Sequence, residues 1–204
     1  LLLSLILAEA ALETVPKVIV NHISVLKHAN KKGKSGQEIL LDRSYHHRAM
    51  NKLEDAGKRG RPDLVHFALL EAMSTPLYQK GMLEIYVHTI IDKVIFFHGN
   101  IRLPKSYFRF EGLMEELFKY RQVTSDTELL MEVKDISFID LLNIIKPLHV
   151  IGMSQSGIKL SVEEVARRHQ DKSVLVIGGF PHNHFSSKVY SKLDNVYSIN
   201  EYGL

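Results

Sequence analysis

The sequence predicts an α/β fold with a largely parallel sheet, and three observations carry that expectation. Short apolar runs bounded by turn residues alternate with segments of helical period. The run Ser173-Val174-Leu175-Val176-Ile177 is wholly apolar after its first residue, as a strand covered on both faces must be. Three runs in the last third end in small or polar residues: Gly152-Met153-Ser154, Gly178-Gly179-Phe180-Pro181 and Asn200-Glu201-Tyr202-Gly203. Open α/β sheets bind their ligands at strand ends of that kind.

Taken in order, Leu1 to Ala8 reads as a buried strand, and Glu9 to about Ala29 as a helix interrupted near Pro16. Asn30-Lys31-Lys32-Gly33-Lys34-Ser35-Gly36 reads as a flexible, solvated basic loop. A short strand at Ile39–Leu41 and a helix over Tyr45–Leu53 follow. Asp55 to Pro62, with two glycines and a proline among charges, cannot be regular structure. From Asp63 the spacing of Val65, Leu69, Ala72 and Met73 gives a helix with one apolar stripe. Pro62 stands at its start, where a fixed φ and a missing N–H do no harm. Leu83–Thr89 and Lys93–His98 read as a strand hairpin. Tyr107–Arg121 is an amphipathic helix with Phe110, Leu113, Met114, Leu117 and Phe118 on one face. Then come a helix over Ser137–Ile145, a strand Leu148–Ile151 ending at Gly152, and a helix Ser161–His169 with Val162 and Val165 inward. Strands at Ser173–Ile177 and Val196–Ile199 complete the order.

The 204 residues suffice for one domain with a real core and do not require two, so a single domain over 1–204 is expected. Hydrophobic residues make up 45% and charged residues 24%, a globular composition. A formal net charge of +3 permits a nucleic-acid partner without demanding one. With no cysteine, disulfides, iron–sulfur clusters, thiolate zinc sites and cysteine nucleophiles are excluded, and an intracellular setting is compatible. His46-His47 and His182-Asn183-His184 lack a third ligand at recognisable spacing and no HExxH occurs, so no metal is expected. The apolar run at the start is far shorter than the roughly 20 residues of a membrane helix and has no basic segment before it, so no membrane partner is expected. The chain begins without methionine, which points to a natural start upstream.

Three constellations could carry chemistry. Glycines at the ends of the C-terminal strands let backbone amides approach a ligand, as a nucleoside cofactor requires; simple turn chemistry is the alternative. No GxGxxG or GxxxxGK[ST] occurs, which argues against an ordinary dinucleotide site and a P-loop. Arg102, Lys105 and Arg109 are interleaved with Tyr107 and Phe108, charges for phosphate and ring faces for unstacked bases. The alternative there puts both rings in the core and Arg109 in solvent. Gly60-Arg61-Pro62-Asp63 is a rigid turn setting an arginine and a carboxylate at a helix start; taken alone it favours Asp63 as the partner of the helix dipole, with a base-contacting site as the alternative.

Taken together, these strings become specific. Leu41-Asp42-Arg43-Ser44-Tyr45-His46, Gly60-Arg61-Pro62-Asp63, Tyr86-Val87-His88-Thr89, the segment Arg102-Leu103-Pro104-Lys105-Ser106-Tyr107-Phe108-Arg109-Phe110-Glu111-Gly112-Leu113-Met114, and Ile177-Gly178-Gly179-Phe180-Pro181 occur in this order. Their combination resembles the ribosome-biogenesis pseudouridine-N1 methyltransferase family of archaea and eukaryotes, within the SPOUT superfamily, and the chain reads as an archaeal member. The resemblance implies a C-terminal deep trefoil knot over about 148–204, a rare exception to the rule that chains do not thread loops. It implies S-adenosyl-L-methionine as cofactor and S-adenosyl-L-homocysteine as product, a homodimer, and small-subunit rRNA as partner, with ribosomal proteins as further partners. The cytoplasm is the implied location, or the nucleolus in a eukaryote.

Carried over residue by residue, the resemblance assigns cofactor contacts to Met153, Gly178, Gly179, Asn183, Ile199, Asn200, Glu201, Tyr202, Gly203 and Leu204. It assigns RNA contacts to Arg61, Arg102, Lys105 and Arg109, and catalysis to Asp63 with Arg61. Asp63 would accept the N1 hydrogen of the target base. Some positions depart from the family pattern. Lys105 replaces an arginine, keeping charge but losing the fork geometry. Ser74-Thr75-Pro76 stands where the family has DSP, and Asn183 stands where a glycine is usual, in a residue type that tolerates left-handed geometry. The family continues past Leu204 into a final helix, so the cofactor pocket is expected to be incomplete without it. Two rival readings remain: a methyltransferase of the same superfamily acting at another RNA position, and a non-catalytic rRNA-binding assembly factor.

Overall fold

The computed structural model describes residues 2–199. The elements run β1 (Leu3–Ala10), α1 (Ile23–Lys32), α2 (Arg43–Met50), α3 (Pro62–Ser74), α4 (Pro76–Gln79), β2 (Leu83–Thr89), β3 (Val94–Phe97) and α5 (Tyr107–Tyr120). They continue with β4 (Gln122–Ser125), β5 (Glu128–Lys134), α6 (Phe138–Ile145), β6 (His149–Lys159), α7 (Val162–Arg168), β7 (Ser173–Gly178), α8 (Ser187–Tyr190) and β8 (Asn195–Ser198). All strands join one eight-stranded sheet in the order β4-β5-β3-β2-β1-β7-β6-β8. The pairs β2·β1, β1·β7, β7·β6 and β6·β8 are parallel, whereas β2·β3, β3·β5 and β4·β5 are antiparallel. The expected α/β class with a largely parallel sheet flanked by helices is therefore the observed one.

β1 sits mid-sheet, and its burial shows why Leu5, Ile6, Leu7 and Ala8 form an unbroken apolar run. Leu5 and Leu7 face a core with Val65, Leu69, Phe110, Met114 and Leu117, while Ile6 and Ala8 face a second core with Phe138, Leu141, Val174 and Val176. A strand covered on both faces cannot alternate apolar with polar. The helix α5 buries Phe110, Met114 and Leu117 and half-buries Leu113 and Phe118, as its period predicts.

Several elements differ from expectation. No helix starts at Glu9: β1 runs on to Ala10, and the helix begins only at Ile23, capped by His22, whose ring accepts the Ser24 amide. The reason is electrostatic. Glu9 and Glu13, which read as the first turn of a solvated helix, are buried and paired with Lys58 and Arg59. Nor is the basic stretch after Ala29 a free loop. Lys31 and Lys32 close α1, Gly33 ends it with φ 62°, and Lys32 and Lys34 grip the buried Glu115 at 2.5 and 2.7 Å. Ile39–Leu41 is buried but makes only a single bridge, Leu40 to Thr14. The hairpin β4–β5 was not anticipated, because β4 is a mostly polar edge strand and polar residues (Glu128, Glu132, Lys134) interrupt the apolar run of β5, which lies between β4 and β3. Finally, β6 does not stop at Gly152, and Val162 points to solvent while Val165 packs inward.

Candidate active site

The parallel strands β1, β7 and β6 deliver their carboxyl ends to one edge, and the glycine turn after β7 is built onto that edge. Gly179 donates its N–H to Ala8 O at 2.9 Å and accepts from Ala11 N at 2.8 Å. A Cβ on Gly179 would lie 2.7 Å from the Cβ and 2.8 Å from the Cα of Ala10, so only glycine lets the turn lie this close on β1. A cleft of about 350 Å³ opens beside the turn, lined by Met153, Ser154, Gln155, Gly178, Phe180 and Asn183, among others. Its size is that of a small-molecule site. Asn183 holds φ 79°, the left-handed geometry expected where asparagine stands in for glycine.

The ladder opens on one side of this cleft. β6 pairs with β8 through Met153–Tyr197, leaves the register over Ser154–Gly157, and returns at Ile158–Tyr197 and Lys159–Ser198. Gly157 presses on the backbone of β8, where a Cβ would meet Tyr197 C at 2.6 Å. The polar side chains of Ser154 and Gln155 are thereby delivered to the cleft. Of the expected cofactor contacts, Met153, Gly178 and Asn183 line the cleft; Gly179 packs against Ala10 beside it, and half-buried Ile199 packs with Met153 and Tyr197. Asn200, Glu201, Tyr202, Gly203 and Leu204 lie outside the described residues.

The Arg61 motif reaches the same edge. Arg61 donates its backbone N–H to Ala11 O at 3.3 Å, so Ala11 is bonded on one side to the glycine turn and on the other to the Arg61 turn. Gly60, at φ 71°, makes the bend, and Pro62 opens α3. Arg61 and Asp63 form a two-pronged pair, Nε–Oδ1 2.8 Å and Nη2–Oδ2 2.9 Å, with both side chains partly exposed. The guanidinium holds the Asp63 carboxyl below the usual carboxylate range, helped by backbone N–H groups of the helix start. Asp63 is thus ionised at neutral pH, with one side of its carboxylate already engaged by Arg61.

Anchored and free residues alternate along the third motif. Tyr78 donates its hydroxyl to the carbonyls of Gly99 and Ile101 at 3.3 Å, Leu103 is buried, His66 Nε2 donates to Pro104 O at 2.7 Å, and Tyr107 donates to Asp42 Oδ2 at 2.7 Å. Between these anchors Arg102, Lys105 and Arg109 are exposed, and no described residue pairs with them. Phe108 is 76% exposed, which rules out a core role for it, whereas Tyr107 is half-buried.

Asp42 belongs to a buried network that the LDxSxH string did not disclose as chemistry. It caps α2 through Ser44 N at 2.7 Å, and its own N–H donates to His46 Nδ1 at 3.1 Å. His46 Nδ1 must therefore be the unprotonated nitrogen, and Nε2–H donates to His28 Nδ1 at 3.0 Å. Burial pushes His46 down to about 4, with His28 the next cause, and burial lowers His28 as well. The tyrosine hydroxyl of Tyr107 is pushed far up by burial and by Asp42, so it remains a donor. Phe180, Ser154 and Gln155 were likewise not singled out as cofactor contacts; Phe180 had a signal, its place inside the glycine string.

The family model described as EMG1/NEP1 methyltransferase matches residues 5–204. The relative "Ribosomal RNA small subunit methyltransferase Nep1" of Saccharolobus solfataricus is 43% identical over 203 residues, covering 99% of this chain and 90% of the relative. The protein of the same name from Thermococcus onnurineus is 39% identical over 198 residues, covering 96% and 90%. A crystal structure of Archaeoglobus fulgidus Nep1 bound to S-adenosylhomocysteine superposes with a TM-score of 0.86 at 36% identity, covering 97% of this chain and 88% of that one. With a family model spanning nearly its whole length and relatives near 40% identity, this chain belongs to the EMG1/NEP1 methyltransferase family.

Proposed function

We propose that this chain is an S-adenosyl-L-methionine-dependent methyltransferase acting on small-subunit rRNA. The observation that carries the reading is Ala11, whose amide and carbonyl bond the glycine turn at the cofactor cleft and the turn bearing Arg61 and Asp63. Residues from two distant motifs thus meet at the end of β1, at one edge of the sheet. The relatives' names, and the S-adenosylhomocysteine bound to the Archaeoglobus protein, point the same way. Calorimetry with S-adenosylhomocysteine, and transfer of labelled methyl to small-subunit rRNA, test it. Binding of both ligands with no transfer would favour a non-catalytic assembly factor.

The residues present fit the cofactor. The cleft offers the Phe180 ring for a base, Ser154, Gln155 and Asn183 for hydroxyls and a carboxylate, and the glycine turn for close backbone approach. Bound there, S-adenosylmethionine supplies an electrophilic methyl group and leaves as S-adenosylhomocysteine. The target in this proposal is N1 of a pseudouridine, which carries a hydrogen where uridine's N1 is glycosylated. Arg61 orients the base, and Asp63 accepts the N1 hydrogen through the lone pairs that Arg61 leaves open. Arg102, Lys105 and Arg109 track phosphates, and the exposed Phe108 ring stacks an unpaired base.

Four further features belong to the same proposal: one domain over the whole chain, a trefoil knot in the part after about residue 148, a homodimer, and action in the cytoplasm. The dimer would scatter light at twice the chain mass, and cyclic dimers are the commonest assembly. Among the described residues no helix is long and apolar enough to cross a membrane.

A further inference from the structure

At the end of β1 stands a residue that the proposed reaction does not use. Glu9 has φ 51°, in the left-handed region that non-glycine side chains rarely adopt, and is only 7% exposed. It does not line the cofactor cleft. It lines a second cavity of about 610 Å³, with Lys58, His88, Asp92 and Ser186. The N–H and the carboxylate of Glu9 in that strained pose each have partners from other segments. Its N–H donates to His88 Nδ1 at 3.2 Å, and His88 Nε2 in turn meets Asp92 at 2.9 Å. Its carboxylate accepts Lys58 Nζ at 2.9 Å and the Ser186 amide at 3.0 Å.

The two carboxylate partners belong to the two halves of the active site. Lys58 lies three residues before Arg61, on the segment that ends in the Arg61–Asp63 pair. Its ammonium also sits 4.6 Å over the ring of Phe180, which lines the cofactor cleft and meets Phe185 edge-on at 5.9 Å. Ser186 ends the loop that walls the cleft and caps α8. The same two segments approach again where a Cβ on Gly57 would come 3.4 Å from Asn183 Nδ2. A buried carboxylate and a buried ammonium, each the other's only opposite charge in contact among the described residues, hold both segments in one arrangement.

We propose that Glu9 is a positioning residue that couples the cofactor loop to the RNA-binding turn, so that each ligand binds more tightly when the other is present. The inference rests on the proposed rRNA methyltransferase function. Whatever closes the Phe180–Ser186 wall onto a cofactor is passed through Glu9 and Lys58 to Arg61, and the reverse, because coupling between sites is reciprocal.

The test compares the full chain with the double variants Glu9→Leu/Lys58→Met and Glu9→Gln/Lys58→Met. Removing both charges avoids the lone buried charge that a single substitution would leave. The glutamine version keeps an acceptor for the Ser186 amide should the leucine version fail to fold. Calorimetry measures S-adenosylhomocysteine affinity with and without a saturating synthetic RNA hairpin whose loop carries pseudouridine. The parent should bind S-adenosylhomocysteine at least about fivefold more tightly with RNA, the low end of ordinary coupling. In a folded double variant that factor should fall to about one, while affinity without RNA changes less than the coupling does. A merely structural role would lower both affinities and leave their ratio intact. Coupling retained in a folded variant, or absent in the parent, overturns the role of Glu9 alone. A parent that binds no S-adenosylhomocysteine overturns the functional reading and this inference with it.

Discussion

Lowering the pH from about 7.5 to about 5.5 should cost this protein stability through one histidine, and the structure sets the amount. His46 is fully buried, its Nδ1 faces the Asp42 N–H and its Nε2 faces His28. A proton added to Nδ1 would set donor against donor, and no carboxylate oxygen lies in the pair to receive it. The folded value is pushed down to about 4 from 6.5 by burial and then by His28. Between those values the unfolded chain binds the proton and the native chain does not, so stability falls as pH falls; above about pH 7.5 both states are neutral and nothing is lost. Linkage then gives a loss of about 1.4 kcal/mol at pH 5.5 relative to pH 7.5 from His46 alone. Urea unfolding at both pH values, for the parent and for His46→Gln, isolates the effect. Glutamine can accept from the Asp42 amide and donate to His28 without titrating. The parent should lose about 1.4 kcal/mol more than the variant over that interval. Equal losses would mean that His46 is protonated as easily folded as unfolded, and the tautomer assigned to the pair would be wrong.

Three other outcomes bear on the site. In Gly178→Val the new Cβ would lie 2.8 Å from the Phe180 ring, forcing that ring into the cleft, so calorimetry should show S-adenosylhomocysteine binding lost while the fold is retained by circular dichroism. Replacing Arg102 and Arg109 together by alanine should flatten the log–log salt dependence of RNA binding by about 1.4, at about 0.7 per single-strand phosphate contact; an unchanged slope would remove both from the phosphates. Asp63→Asn should lower methyl transfer at least about a hundredfold with near-normal melting and RNA binding if Asp63 accepts the N1 hydrogen. If it serves only the helix dipole, about 0.3–1 kcal/mol of stability goes and the rate stays.

Much of this site could be read from residue order, because the relevant signals are local. A glycine pair after a wholly apolar strand and a proline one residue past an arginine at a helix start each dictate backbone geometry within a few residues. The αL pose of Asn183 followed from residue type in the same way. Non-local effects were hidden. Glu9 and Glu13 look like a polar helix turn until Lys58 and Arg59, tens of residues later, are seen to neutralise them. Lys32 and Lys34 look like a solvated loop until Glu115 appears from α5. Composition cannot show that Phe108 is exposed while its neighbour Tyr107 is tied to Asp42, since both are aromatic and only helix phase and a distant carboxylate separate them. At the acidic and basic places, charge pairing across the fold, rather than propensity, decided the outcome.

The central claim is that the edge joined through Ala11 transfers a methyl group to N1 of a pseudouridine. One measurement reaches it most directly: incubation of the full chain and S-adenosylmethionine with two synthetic RNA hairpins that differ only in carrying uridine or pseudouridine in the loop, followed by nuclease digestion and nucleoside mass analysis. The account predicts one added methyl on the pseudouridine RNA, located at N1, and none on the uridine RNA. Equal methylation of both, or a methyl found on ribose, would contradict it.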